Sequence, residues 1–378
     1  MRQRKQLFTH AESGREWAPD VRLLDEQRPT REGASSPSLQ FWLGNAVGFV
    51  RKLLSGMSHW RLTRIRLEGT VDSEGKSLTV DYVGHGENLE YFCRLFFKGP
   101  VRQQALSTHP IWHQGIAGKE AGGADLYCLE RPLPWSLMAA PPGSKNYLCW
   151  VKQGIPIEAN RDAFINTMRR KTRMEAERVI RKYALSVSLV SAQDFGATFY
   201  RELYRPYIES RFGEEGVIVS EAQFLAKCAH ARLLLVKQGD TPVGGLVLHQ
   251  QGTTLIDGWT GIRLQDGGPL VPGISDVIDY CSLYLAYQEG FSHLDMGTSR
   301  AFLSDGTLKY KLRWGARLST GVVPKGTWTL ALATTRPEVL DMINHAGIIG
   351  RRPNHGLVVC QVDDDGTIQD IPLTDRLS

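Results

Sequence analysis

Asp295 closes a short apolar stretch, Phe291 to Met296, and leads through Gly297 into a polar run that holds Arg300, Asp305, Lys309, Lys311 and Arg313. A carboxylate among buried residue types is rarely idle. It captures a cation or pairs with a base, here Lys311 or Arg300. His293, two residues before Asp295, falls on the same side of a strand. Its imidazole either serves as a base near neutral pH or is a satisfied buried histidine. Gly297 suits a sharp turn or a close approach of backbone to ligand. His249 and Asp257, on neighbouring predicted strands, are candidates to line a substrate cleft. Tyr280 and Tyr284, one helical turn apart, read as core, as surface or as pocket wall. G-x-S-x-G, G-x-x-x-x-G-K-[ST] and H-E-x-x-H are all absent, so the motif-based hydrolase, P-loop and zinc-peptidase readings have no support. Asp363, Asp364, Asp365 and Gly366 lack the remaining ligands of a calcium loop and read as an acidic turn. No metal site is expected.

The elements that must position these residues follow from periodicity. Ile274, Val277, Ile278, Cys281 and Leu285 recur at three and four residues, a one-sided helix that Gly290 stops. Phe291 to Met296 then reads as a buried strand that ends at Gly297, with the charged residues after it on a loop or strand edge. Upstream, Ala231 to Val236, Pro242 to His249 and Thr253 to Ile262 read as an antiparallel meander with tight turns at Gly239 and Gly252. Ser220 and Gln223 have the spacing of a capping box. Ile165 to Ala184 reads as a long basic helix, either a solvated face or a phosphate- or RNA-contacting one. A strand at Thr327 to Ala333, a helix at Pro337 to His345 and a strand at Leu357 to Val362 complete an α/β fold with a mixed sheet.

At 378 residues the chain is long for one core, and its hydrophobic and charged fractions are those of a soluble globular protein. A net charge of +5 permits an anionic partner without demanding one. Six scattered cysteines without a C-x-x-C read as buried thiols of a cytoplasmic protein. Residues 1–37 read as a disordered tail. Residues 38–57 include Ser38 to Leu54, a predicted amphipathic helix that packs on the core or a twin subunit, or lies in a membrane surface.

Residues from about Leu126 onward resemble the GNAT acyltransferase superfamily, in the branch of the Fem-type aminoacyl transferases and related acetyltransferase-like domains. The resemblance is carried by the basic helix Met168 to Lys182 and by LLLVKQGDTPVGGLVLH at Leu233 to His249. Its strongest part is AYQEGFSHLDMGTSR followed by LKYKLRWGA, ending at Ala316. It implies a GNAT-like fold in tandem, a divergent first half at 58–185 and a better-matching half at 186–378. It also implies an N-acyltransferase that moves an acyl group from coenzyme A or another thioester to an amine or hydroxyl of a small molecule or peptide. The alternatives are transfer from aminoacyl-tRNA and a catalytically inactive binding protein on the same fold. No permanently bound cofactor is implied; acyl-coenzyme A or aminoacyl-tRNA enters as cosubstrate. Lys311 is implied to face the donor's phosphate or carbonyl, with Asp295 and His293 at the chemistry. Gly273, Ser275 and Arg300 stand where a donor would be held, and His249, Asp257, Tyr280 and Tyr284 where an acceptor would. Leu270 to Asp276 departs from the usual pyrophosphate loop, having one glycine and no arginine. The tRNA would meet the helix at 165–184.

Overall fold

The computed structural model describes residues 61–71, 75–84, 86–110, 123–131, 140, 143–213, 218–319, 326–352 and 356–373. The expected tail 1–37 and helix 38–57 lie outside the described residues. In chain order the elements are β1 (Arg61–Thr70), β2 (Ser77–Gly84), α1 (Gly86–Phe96), β3 (Arg102–Pro110), β4 (Leu126–Arg131), β5 (Lys145–Leu148) and β6 (Trp150–Pro156). There follow α2 (Arg161–Thr167), α3 (Arg170–Tyr183), β7 (Leu185–Ser191), α4 (Ala192–Phe199), a π-turn (Tyr200–Tyr204), α5 (Arg205–Phe212) and α6 (Glu221–Cys228). Next come β8 (Arg232–Gln238), β9 (Thr241–Gln251), β10 (Thr254–Ile262), the short β11 (Leu264–Gln265) and β12 (Gly268–Pro269), and α7 (Ile274–Gln288). The last are β13 (His293–Arg300), α8 (Gly306–Arg313), β14 (Arg317–Ser319), β15 (Thr327–Leu332), α9 (Pro337–Ala346), β16 (Ile349–Arg352), β17 (Gly356–Val362) and β18 (Ile368–Pro372).

The described chain divides into two units whose sequences interleave. The first comprises Lys152–Thr298 and Tyr310–Ser319. Its sheet runs β14-β6-β13-β10-β9-β8-β7, with β7 to β10 an antiparallel meander and β13 parallel to β10. One face is covered by α3 and α7 through Val179, Ile180, Val277, Ile278, Leu246 and Leu255. The other is covered by α4, the π-turn and α6 through Phe199, Leu203, Phe224, Leu233 and Val247. The predicted capping box holds α6: Gln223 N–H donates to Ser220 Oγ at 3.3 Å and Ser220 N–H to Gln223 Oε1 at 3.4 Å. The single basic helix expected over 165–184 is broken by extended backbone at Met168 and Arg169, and its basic part is α3. Two of its arginines are neutralised within it, Arg173 by Glu177 at 3.2 Å and Arg178 by Glu175 at 2.5 Å, while Arg169, Arg170 and Lys171 stand exposed.

The second unit comprises the described residues of 61–151, Ser299–Lys309 and those of 326–373. Its main sheet runs β3-β1-β2-β4-β15-β5, and β16 to β18 form a smaller antiparallel sheet. Asp81, fully buried, is held by Arg64 at 2.5 Å and Arg66 at 2.9 Å. Burial alone would raise its carboxyl, but the two guanidinium groups outweigh burial and leave it below the usual range.

Three expectations are corrected here. The division expected near residue 185 falls inside the first unit, because α3 packs on α7 across that point. The strand at Thr327, expected in the better-matching half, pairs instead with β4 and β5 of the second unit. The strand expected to stop at Gly297 continues to Arg300, and the charged residues after it are helical in α8, which Asp305 starts by accepting the N–H of Leu308 at 2.7 Å. No helix among the described residues is long and apolar enough to cross a membrane.

Candidate active site

Parallel strands β10 and β13 pair at only three positions, Thr254 with His293, Leu255 with Leu294 and Ile256 with Asp295. Beyond that point each strand leaves regular geometry. In β10 a bulge lies between Asp257 and Thr260, where Gly258 and Trp259 together oppose Val247 of β9. β13 turns through Gly297, whose φ is 75°, a left-handed conformation that favours glycine. The two strands therefore part, and a wedge opens at the carboxyl end of a parallel pair, where α/β sheets commonly hold ligands.

Asp257 stands at the mouth of this wedge on the α7 side. The Ser282 hydroxyl, from a fully buried residue of α7, donates to Asp257 Oδ1 at 2.7 Å. Burial pushes the Asp257 carboxyl up to about 8, and the charge of Asp279, one helical turn before Ser282, adds to the rise. Asp279 is itself raised to about 6, again by burial first. Both residues keep some solvent access although protein crowds their carboxyls, as at the floor of a cleft. The Lys311 charge acts on both carboxyls in the opposite sense, and its Nζ donates to Thr298 O at 3.0 Å, on the far arm of the wedge. The Tyr310 hydroxyl lies close to Asp276 and Asp279 and acts on both carboxyls. Among the described residues the buried Tyr310 hydroxyl, Trp314 Nε1 and Asp276 Oδ1 have no partner in hydrogen-bonding geometry.

The sequence-predicted residues divide around this wedge. Lys311 and Asp257 both border it, the lysine bonded to Thr298 O on one arm and its charge acting on the carboxyl of the other. Asp295 pairs with neither Lys311 nor Arg300 but with Lys152 of β6, at 2.7 Å, and its Oδ1 accepts the N–H of Gly297 at 2.9 Å. His293 is exposed, with Nδ1 3.1 Å from the Ser292 hydroxyl. Gly273, at φ 83°, begins α7, and Ser275 is in its first turn, half-buried. Tyr280 and Tyr284 are core residues with rings 4.7 Å apart, and the Tyr280 hydroxyl donates to Glu177 Oε1 at 3.0 Å. His249 is half-buried, its ring 6.0 Å from that of Trp259, and burial lowers its basicity. Arg300 belongs to the second unit, its guanidinium 3.9 Å from the Trp150 ring centre and 4.5 Å from that of Tyr91, with a hydrogen bond to Asn88. That packing makes it a half-buried cation held between aromatic rings of that unit.

Sequence reasoning missed Asp276, Asp279 and Ser282. Their three-residue spacing along a helix of mostly apolar and aromatic positions was the available signal. Lys152 carried no such signal, since its partner lies 143 positions away.

Because Asp257 is raised, its neutral form is the one the fold favours. The stability this contributes is full below the unfolded value of 3.8 and is lost as pH rises toward about 8. Asp257→Asn is therefore expected to melt higher than wild type at pH 8.5, with the advantage shrinking toward pH 4. Melting curves across that range check it; equal melting at pH 8.5 would show the carboxyl to be freely solvated.

No family model matches the chain, and none of the curated proteins searched matches it. Among solved structures it resembles FemX at 14% identity and a TM-score of 0.36, over 74% of this chain and 89% of that one. A GCN5-related N-acetyltransferase from Kribbella flavida matches at 9% identity and 0.29, over 87% and 77%. One from Sphaerobacter thermophilus matches at 11% and 0.27, over 69% and 78%. These are distant likenesses in the course of the chain.

Proposed function

We propose that the chain is an acyltransferase that moves an acyl group from a thioester, of the acyl-coenzyme A type, to an amine. The observation that supports this most directly is the wedge between β10 and β13, with Lys311 and two carboxyls of unlike acidity at its mouth. In such a site the amine nitrogen attacks the thioester carbonyl carbon, the C–S bond breaks, and the amine's proton leaves with the thiol. Asp279, raised to about 6, is ionised at neutral pH and suits acceptance of that proton. Asp257, raised to about 8, is largely neutral there and suits its donation to the departing sulfur. Lys311 supplies positive charge for the oxyanion that forms between the two steps. Pairs of groups driven apart in acidity are a recurring mark of acid–base sites.

Aminoacyl-tRNA is the second donor in view, favoured by the exposed Arg169, Arg170 and Lys171 where α3 begins. Calorimetric titration with acyl-coenzymes A from acetyl to palmitoyl, joined to detection of thiol release with an amine mixture, tests the first reading. Binding with amine-dependent thiol release is the expected result. A folded protein that binds none of the thioesters removes coenzyme A as donor.

A further inference from the structure

We propose that the sheet face turned away from α7 carries a binding hollow for a small primary amine, floored by Gly258 and Gly297 and walled by His249, Trp259, Asp295 and Lys152. As an acceptor site it rests on the acyl-transfer reading above; as a place for an amine it rests on geometry alone. His249, Ile256 and Asp295 are register partners on three adjacent strands, so they form one row across the sheet at a spacing of about 4.8 Å. Lys152 extends the row, with Nζ 2.7 Å from Asp295 Oδ2. Alternation along β10 puts this row on the opposite face from Asp257, so an amine seated here meets the thioester, and the carboxyls that move its proton, through the gap where β10 and β13 part.

Two residues further along, both diverging strands carry glycine. No described atom lies within 4 Å of the position a Cβ on Gly297 would take. A Cβ on Gly258 would stand 2.9 Å from the carbonyl oxygen of Val247 and 3.3 and 3.4 Å from the Cδ2 and Nε2 atoms of His249, so β9 backbone closes on that glycine and the imidazole lies beside it. Asp295 lies beside Gly297, whose N–H it accepts. The Trp259 ring stands edge-on to His249 and closes one side, with Lys227 Nζ 5.7 Å from its centre. The floor is thus bare backbone while the walls carry function.

The walls specify the ligand's chemistry. Asp295 is only 12% exposed, whereas its partner Lys152 is 52% exposed and well hydrated. An exposed lysine yields readily, so an incoming ammonium can take its place on the carboxylate. Burial keeps the His249 imidazole neutral, and among the described residues nothing hydrogen-bonds to it, which leaves a ring nitrogen to accept from the ligand. The indole of Trp259 suits the apolar body that carries the ammonium.

Histidine-labelled protein, titrated with benzylamine and with n-butylamine in the absence of any thioester, tests the site by NMR, with benzyl alcohol as the uncharged control. The His249 ring signals, assigned through His249→Gln, are expected to shift saturably with the amines and not with the alcohol. Asp295→Asn, which keeps the acceptor to Gly297, is expected to weaken that shift at least ~10-fold at unchanged melting temperature. Absence of any shift, an equal shift with benzyl alcohol, or undiminished binding in Asp295→Asn each overturns the proposal. Thiol release without perturbation of His249 would leave the transferase reading standing and remove this hollow. Perturbation without thiol release would do the reverse.

Discussion

Lys311→Met is expected to lower turnover by ~100-fold or more while the protein melts within a few degrees of wild type. Methionine keeps most of the side chain's length and its packing beside Tyr310, and removes only the charge. The ammonium acts on Asp257 and Asp279 and donates to the carbonyl of Thr298, so its loss is felt on both arms of the wedge. Removing it should also drive the Asp257 carboxyl further up, because burial and Asp279 would then act with less opposition. The descending limb of the rate–pH profile, set by Asp257 as the proton donor, should move to higher pH in consequence. Turnover and melting measured together separate the roles. A large loss of stability with a proportionate loss of turnover would make Lys311 a brace for β13 and nothing more.

Gly315→Ala is expected to destabilise the first unit severely, by about 3 kcal/mol or more. Two costs coincide at this residue. Its φ of 86° is one that side-chain-bearing residues rarely adopt, and a Cβ there would come within 2.2 Å of the carbonyl oxygen of Thr167, which is backbone and cannot swing aside. The preceding Trp314 is fully buried, so the turn cannot relax outward without exposing an indole. Thermal and denaturant unfolding of the variant read this directly. A melting temperature within two degrees or so of wild type would show that the α8 to β14 turn tolerates another path.

Much of the first unit was legible in the sequence because its signals are local. The apolar spacing from Ile274 to Leu285, the glycine turns of the meander and the Ser220–Gln223 cap each lie within a few residues of what they specify, and all are found in place. Gly297 misled for a physical reason. Its positive φ does mark a break in regular geometry, but Asp295 and Lys311 brace the neighbouring backbone and the strand runs on to Arg300. The helix of Lys309, Lys311 and Arg313 was hidden by a charged composition that reads as loop, since only Leu308 among its residues is fully buried. At the site, Lys311 and Asp257 were visible as residue types but their place on one wedge was not. It depends on where two strands stop pairing, and no single strand's sequence records that.

The interleaving of the two units bears on how the protein is made. In the second unit's sheet, Thr329 of β15 lies between Leu129 of β4 and Asn146 of β5, so strands synthesised early wait for one about 200 residues later. The first unit has every segment by Ser319, before β15 has been translated at all. At ordinary elongation rates of ~5–20 residues per second, β4 and β5 therefore spend on the order of ten seconds or more without their shared partner. Vectorial synthesis thus favours completion of the later-starting unit first, and the open edge of β4 is the surface a chaperone would meet on the nascent chain.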